Sequence, residues 1–338
     1  MNLTDPAVRV TGLTKKFGAF TAINDVSFTV ETNKIYGLLG RNGAGKTTLM
    51  QLLTGQQFAT SGTLEVFGAS PLENARVLQS LCFIKETQKY PDSFRPAHVF
   101  ASAPWFFANW DADFAGRLAE DFRLPLNRPI KKLSRGQLSA VGVIVGLASR
   151  APLTFFDEPY LGLDAVARQI FYDRLLEDYA EHPRTIILST HLIDEVSNLL
   201  EHVLVIDEGR ILIDQDADEL RGTASTVVGK KTDVDAFVAG RDIIFRDGIG
   251  ALASVTVTGL GEAERATARA AGLEISPVSL QQLIVQRTTS QPSERDADRR
   301  APGQRGRTGA GNGHSAEGRG DTPADQTESK TDAWSAHS

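Results

Sequence analysis

Gly40-Arg41-Asn42-Gly43-Ala44-Gly45-Lys46-Thr47 is the stretch that decides the fold. These residues fit G-x-x-x-x-G-K-[ST], a loop that wraps phosphate groups between a strand and a helix. Gly40, Gly43 and Gly45 allow a tight turn. With Arg41, Asn42 and Ala44 between them, they bring main-chain N–H groups onto phosphate oxygens. Lys46 places a point charge near the β- and γ-phosphates. The Thr47 hydroxyl is a candidate Mg2+ ligand, and Thr48 can bond the α-phosphate. Upstream lies the apolar run Ile35-Tyr36-Gly37-Leu38-Leu39, which reads as a strand. Downstream, a helix from about Lys46 to Leu53 aims its positive end at the anion.

Working outward, further apolar runs occur at residues 26–30, 153–156, 185–188 and 203–206, alternating with helical patterns. Continuous apolar strands between helices predict an α/β fold whose parallel sheet is covered on both faces. This pattern spans residues 1–221. Residues 223–288 form a second, shorter set. Val255-Thr256-Val257-Thr258 alternates like a strand, residues 262–271 read as an Ala-rich helix ended by Gly272, and residues 280–285 are a last apolar segment. A small α+β domain is expected there. From residue 289 large apolar side chains vanish apart from Trp334. Such a segment cannot bury enough apolar surface to offset its ordering entropy, so residues 289–338 are expected to form a disordered tail.

Two further strand ends carry chemistry. Leu153-Thr154-Phe155-Phe156-Asp157-Glu158 is an apolar run ending in two acids. In an open parallel sheet such ends face the ligand crevice. There Asp157 is placed to hold Mg2+ through water, and Glu158 to polarise the attacking water as general base. Thr185-Ile186-Ile187-Leu188-Ser189-Thr190-His191 runs likewise into a polar end, where His191 can donate to the γ-phosphate.

Composition narrows the function classes. The 338 residues are 41% hydrophobic and 23% charged with a formal net charge of −6, which argues against a dedicated nucleic-acid binder. Cys82 is the only cysteine, so no intrachain disulfide is possible and a cytoplasmic compartment fits. No run reaches the roughly 20 apolar residues of a membrane helix. Residues 140–148 are read as a buried core helix. Met1-Asn2-Leu3-Thr4-Asp5 has neither a basic nor an apolar region of the kind a signal peptide needs. If the protein acts at a membrane, another chain is expected to cross it.

Leu133-Ser134-Arg135-Gly136-Gln137, lying between the phosphate loop and the Asp-Glu strand, completes a recognisable order. Over residues 7 to about 221 the chain resembles the ATPase subunits of ABC transporters. The resemblance implies a P-loop, ABC-type ATPase domain that binds and hydrolyses ATP, with a helical subdomain at about residues 92–150 that docks on the membrane partner. It assigns Phe17, in Lys15-Lys16-Phe17-Gly18, to stack on adenine. It makes Leu133 to Gln137 the signature, Leu161-Gly162-Leu163-Asp164 the D-loop and His191 the switch histidine. It further implies a head-to-tail dimer in which Ser134 and Gly136 of one subunit, with Gln137 and Asp164 nearby, face ATP held by the other. The partners implied are a separate multi-spanning permease and a second ATPase subunit, with the pair peripheral on the cytoplasmic face of the membrane.

Two departures from the family pattern stand out. Arg135 replaces one signature glycine, at a slot that tolerates variation. Glu86, in Leu81-Cys82-Phe83-Ile84-Lys85-Glu86-Thr87-Gln88, aligns where a glutamine normally contacts Mg2+ and water. Either its carboxylate substitutes, or Gln88 takes the role through a shifted loop. Trp105-Phe106-Phe107 and Trp110 are either the permease contact or a subdomain core. With Asn109-Trp110-Asp111, these features resemble a bacterial drug- and bacitracin-type exporter subgroup, which often carries a small C-terminal domain. Two other readings remain. One is a soluble ABC-type ATPase acting on ribosomes or DNA; the other is a non-catalytic nucleotide sensor.

Overall fold

Neighbouring residues along the apolar runs are buried in opposite directions. Phe155, Ile187 and Leu204 fall in one hydrophobic core, while Phe156, Ile186, Leu188 and Val205 fall in another. A strand with both faces buried needs apolar residues at every position, which explains why these runs do not alternate. The structure, a computed structural model, describes residues 6–86, 88–221 and 223–290.

The chain begins with β1 (Val8–Phe17), β2 (Phe20–Val30), β3 (Ile35–Leu39), α1 (Lys46–Leu53) and β4 (Ser61–Val66). The one-turn α2 (Ala75–Leu78), β5 (Leu81–Lys85), α3 (Pro96–Ser102), α4 (Ala112–Asp121) and α5 (Arg135–Ala148) follow. Next come β6 (Leu153–Asp157), α6 (Ala165–Glu181), β7 (Thr185–Thr190), α7 (Ile193–Val196), β8 (His202–Asp207), β9 (Arg210–Asp216) and α8 (Ala217–Leu220). The last part holds β10 (Ala224–Lys230), α9 (Lys231–Val238), β11 (Ile243–Ile249), β12 (Leu252–Thr258), α10 (Glu262–Ala270), β13 (Glu274–Pro277) and α11 (Leu280–Ser290).

The central sheet has the order β5-β6-β7-β3-β8-β9, parallel throughout except for the antiparallel edge strand β9. A second, antiparallel sheet has the order β2-β1-β4. Residues 26–30, expected in the parallel sheet, belong to it instead. Val26, Phe28 and Val30 are buried while Ser27 and Thr29 are exposed. That period of two marks a strand with one wet face, a pattern typical of antiparallel sheets.

The stretch from α3 to α5 packs on one side of the central sheet through Val99, Phe114, Leu118, Ile130 and the inner face of α5. Ser134 caps α5: its hydroxyl accepts from Gln137 N–H at 3.2 Å, and the Gln137 side chain accepts from Ser134 N–H at 3.1 Å. This reciprocal box satisfies two otherwise orphaned donors. Gly146 allows α5 to lie close on β6, because a Cβ there would stand 2.4 Å from the Phe156 ring.

In the last part, β11-β12-β10-β13 form an antiparallel sheet whose own core includes Val227, Val234, Val255 and Val257. The final apolar segment is the helix α11, and its Leu280, Leu283 and Ile284 join the larger core beside the central sheet. The tail expected from residue 289 therefore starts inside α11, which extends to Ser290; residues 291–338 lie outside the described residues. Among the described residues, no helix is long and apolar enough to cross a membrane.

Candidate functional site

The carboxyl-terminal ends of β3, β6 and β7 lie side by side, with Leu39 opposite Thr190 and Asp157 opposite Ser189. Loops leaving these ends build the site, as the crevice rule for open α/β sheets requires. After β3 the chain turns through Gly40 to Gly45. Gly40 has no room for a side chain, since a Cβ would meet the Ile206 carbonyl at 2.2 Å. Gly45 has φ 113°, a left-handed conformation that glycine adopts without strain.

Lys46, at the start of α1, is buried and curls back over the loop. Its Nζ donates to Gly40 O at 2.8 Å and Arg41 O at 3.3 Å, and lies 3.7 Å from Glu158 Oε1. Thr47 Oγ1 donates to Asp157 Oδ2 at 2.8 Å, and Ser189 Oγ donates to Asp157 Oδ1 at 2.9 Å. Both oxygens of this buried carboxylate are thus fixed in direction. Glu158, at φ 51°, turns the chain away from β6, and its N–H still reaches Ser189 O at 3.3 Å. Its Oε2 lies 2.9 Å from His191 Nδ1 and accepts from the Tyr160 hydroxyl. Burial first, and the hydrogen bond to Glu158 next, push the Tyr160 phenol above its ordinary pKa, so it stays a proton donor.

A cavity of about 750 Å³ opens here. Of the expected site residues, Asn42, Gly43, Gly45, Lys46, Thr47, Thr48, Glu86, Asp157, Glu158 and His191 line it. Gly40, Arg41 and Ala44 form the remainder of the loop and are not in its wall. Phe17 is not in the wall either: it ends β1, 47% exposed, with Lys15 Nζ 4.7 Å from its ring centre. Its cross-strand partner Phe20 does line the cavity, together with Ala22 and Leu161.

Ser134, Gly136, Gln137 and Asp164 stand apart from the cavity. They lie at the amino-terminal ends of α5 and α6, where Asp164 caps its helix by accepting from Ala167 N–H at 2.8 Å. The two regions touch, since Ser139 Oγ donates to Leu161 O at 2.7 Å. A Cβ on Gly136 would stand 2.7 Å from Gly162 O. The two unusual residues of the sequence also meet. Arg135 Nη2 is 2.7 Å from Glu86 Oε1, so these two residues form an ion pair. Gln88 points elsewhere, into an apolar cavity beyond β5.

Sequence reasoning missed Tyr160 and Phe20. Nothing in a lone tyrosine after Pro159 separates a functional hydroxyl from a core ring. Phe20 was hidden because either end of a hairpin can present the aromatic.

A family model described as "ABC transporter" matches residues 23–161. The ABC transporter ATP-binding protein YtrB of Bacillus subtilis is 24% identical over 277 residues, covering 81% of this chain and 95% of that protein. Nod factor export ATP-binding protein I of Ralstonia nicotianae is 31% identical over 211 residues, 61% of this chain and 65% of the relative. The putative ABC transporter ATP-binding protein AlbC of Bacillus subtilis is 32% identical over 200 residues, 56% of this chain and 82% of the relative. Among solved structures, an ATP-binding subunit of an ABC transporter superposes with a TM-score of 0.58 at 24% identity, covering 64% of this chain and 92% of the other. At 32% identity over four-fifths of AlbC, and with the family model matching across the phosphate loop and the strand-end acids, the chain belongs to the ATP-binding subunits of ABC transporters and is an ATPase.

Proposed function

We propose that this chain is the motor of an ABC exporter, working as a head-to-tail pair on the cytoplasmic face of a membrane beneath a separate permease. One observation carries the reading: a single cavity collects the phosphate loop, the Asp157-held Thr47 hydroxyl, the Glu158 carboxylate and the His191 imidazole. In this reading the loop N–H groups and Lys46 hold the β- and γ-phosphates. Glu158 polarises the attacking water, and His191 contacts the γ-phosphate.

The donors also fit Mg2+. Thr47 and Asp157 offer hard oxygens side by side. Mg2+ is commonly held by one or two protein oxygens together with waters and phosphate oxygens. Bound there, it would neutralise phosphate charge. Glu86 is the third candidate ligand, with its carboxylate engaged by Arg135.

Ser134 and Asp164 are exposed outside the cavity of their own chain. A site that uses the signature would therefore draw it from a second copy, which supports the paired arrangement. The permease surface we assign to the apolar cavity of about 650 Å³ beyond β5, lined by Phe83, Phe94, Val99, Trp105, Phe106 and Phe107. Trp105 is 83% and Phe106 66% exposed at its rim, which supports their role as permease contacts in this reading, whereas Phe107 and Trp110 pack on the core. Export is supported by the relative named for Nod factor export. We keep residues 1–221 as the ATPase domain, with the helical subdomain at about 92–150, and residues 223–288 as an accessory domain. A net charge of −6 weighs against a DNA- or ribosome-bound role.

The test is phosphate release by the full chain and by Glu158→Gln, with ATP binding measured in parallel. A drop of about 10²–10⁴-fold with binding retained is expected when a general base is removed. Equal background rates from both proteins would instead make the chain a nucleotide sensor. For the permease surface, Trp105→Ala with Phe106→Ala is expected to keep ATP turnover but lose co-purification with a multi-spanning membrane protein.

A further inference from the structure

The Tyr160 hydroxyl sits at the junction of β6 and β7 with three close polar neighbours and one distant one. It donates to Glu158 Oε2, lies 2.6 Å from Thr190 Oγ1 and 3.2 Å from His191 N, and has His191 Nδ1 at 3.5 Å, too far to compete with the 2.9 Å contact of that nitrogen to Glu158. Tyr160 is only 2% exposed, so no bulk water competes for these contacts. The hydrogen bonds can be assigned by elimination. A phenol has one proton and two lone pairs, and a carboxylate only accepts. The phenol proton therefore goes to Glu158. The His191 N–H and the Thr190 hydroxyl donate into the two lone pairs. Thr190 Oγ1 in turn accepts from Leu192 N–H at 2.9 Å. Every donor in this chain has an acceptor, and its direction is fixed from residue 192 to Glu158.

The same logic fixes the imidazole. His191 Nδ1 is 2.9 Å from Glu158 Oε2, so in contact with a carboxylate it carries the proton. Oε2 thus receives both the phenol and the imidazole, and its accepting capacity is full. Oε1 is the oxygen left facing Lys46 and the cavity.

We propose that Tyr160 is a positioning residue for ATP hydrolysis: it dictates which oxygen of Glu158 meets the attacking water and ties that carboxylate to the 190–192 backbone that carries His191. The inference rests on the reading of Glu158 as the water-polarising base. A displacement of the His191 segment pulls directly on the phenol, so a change at the γ-phosphate side reaches the base through one hydroxyl.

Tyr160→Phe removes only that oxygen and keeps the buried ring. Loss of a hydrogen bond to a charged group corresponds to about 10- to 150-fold. We expect kcat of the full chain to fall by about that factor, with KM for ATP and nucleotide Kd within about twofold of wild type. Because Tyr160 acts through Glu158, the double variant with Glu158→Gln should be no slower than Glu158→Gln alone. Thr190→Val interrupts the same chain from its far side and should lower kcat by about two- to fivefold at unchanged KM; it serves as the test if Tyr160→Phe does not fold. An unchanged kcat in the folded variant, or a loss that tracks nucleotide affinity, overturns the proposal. Wild-type turnover in Glu158→Gln would instead overturn the base assignment itself, which separates the two failures.

Discussion

Asp178→Asn gives a sharp test of how the fold holds the site together. Asp178 is on α6 and is 4% exposed. Its Oδ1 accepts from Arg150 Nε and Nη2 at 3.0 and 2.8 Å, and its Oδ2 from Arg184 Nη1 at 2.7 Å. Arg150 follows α5 directly and pairs with Asp111 at 2.9 Å, while Arg184 leads into β7 and reaches Leu147 O at 3.3 Å. One carboxylate therefore fastens the end of the signature helix to the strand that carries His191. Burial pulls the Arg184 guanidinium below its ordinary pKa, and Asp178 is the chief group opposing that. The asparagine keeps the shape and removes the charge. Breaking a buried pair from one side costs about 3–5 kcal/mol. At a urea slope of about 3 kcal/mol per molar, the unfolding midpoint should fall by about 1–1.7 M. Circular dichroism during urea titration reads this directly. Removing both charges, as Asp178→Leu with Arg184→Met, should recover most of the loss, because Arg150 retains Asp111. A loss under about 1 kcal/mol for Asp178→Asn, or no recovery in the double variant, refutes the reasoning.

Three further outcomes are expected. Thr47→Val removes the hydroxyl held by Asp157 and should reduce Mg2+-dependent phosphate release at least about tenfold; an unaltered Mg2+ titration curve contradicts the assignment. Burial pushes the Cys82 thiol up to about 12. With so little thiolate, it should resist a disulfide exchange reagent at pH 8 in the folded protein and react once unfolded. Rapid labelling of the native chain contradicts the described core. Gly146→Ala drives a methyl group to within 2.4 Å of the Phe156 ring and should cost about 1–3 kcal/mol by denaturant titration; a neutral effect would show that α5 sits further from β6.

Much of this was legible in the residues because the signals were local. The unbroken apolar runs before Gly40 and before Asp157-Glu158 read as doubly covered strands, and the loop following β3 has Gly40 where a side chain would strike Ile206 O and Gly45 where one would strike Ala22 O. The β2 strand was assigned to the wrong sheet, although Val26-Ser27-Phe28-Thr29-Val30 alternates and that period identifies a one-sided strand. The contact between Glu86 and Arg135 was out of reach, since each was noticed separately and only the fold brings them to 2.7 Å. Tyr160 was invisible for the same reason: its hydroxyl acquires meaning from Thr190 and His191, which lie one strand away. Residues 280–285 carried an apolar run too short to separate strand from helix, and packing into the main core resolves them as part of α11.

The most direct measurement is the mass of the Glu158→Gln protein in solution by light scattering, with Mg2+ and either ATP or ADP. Trapped ATP should hold two chains together, giving twice the 36.6 kDa of one chain with ATP and a single chain with ADP. One chain under both conditions, despite saturating ATP, would contradict a site completed by Ser134 of a second copy.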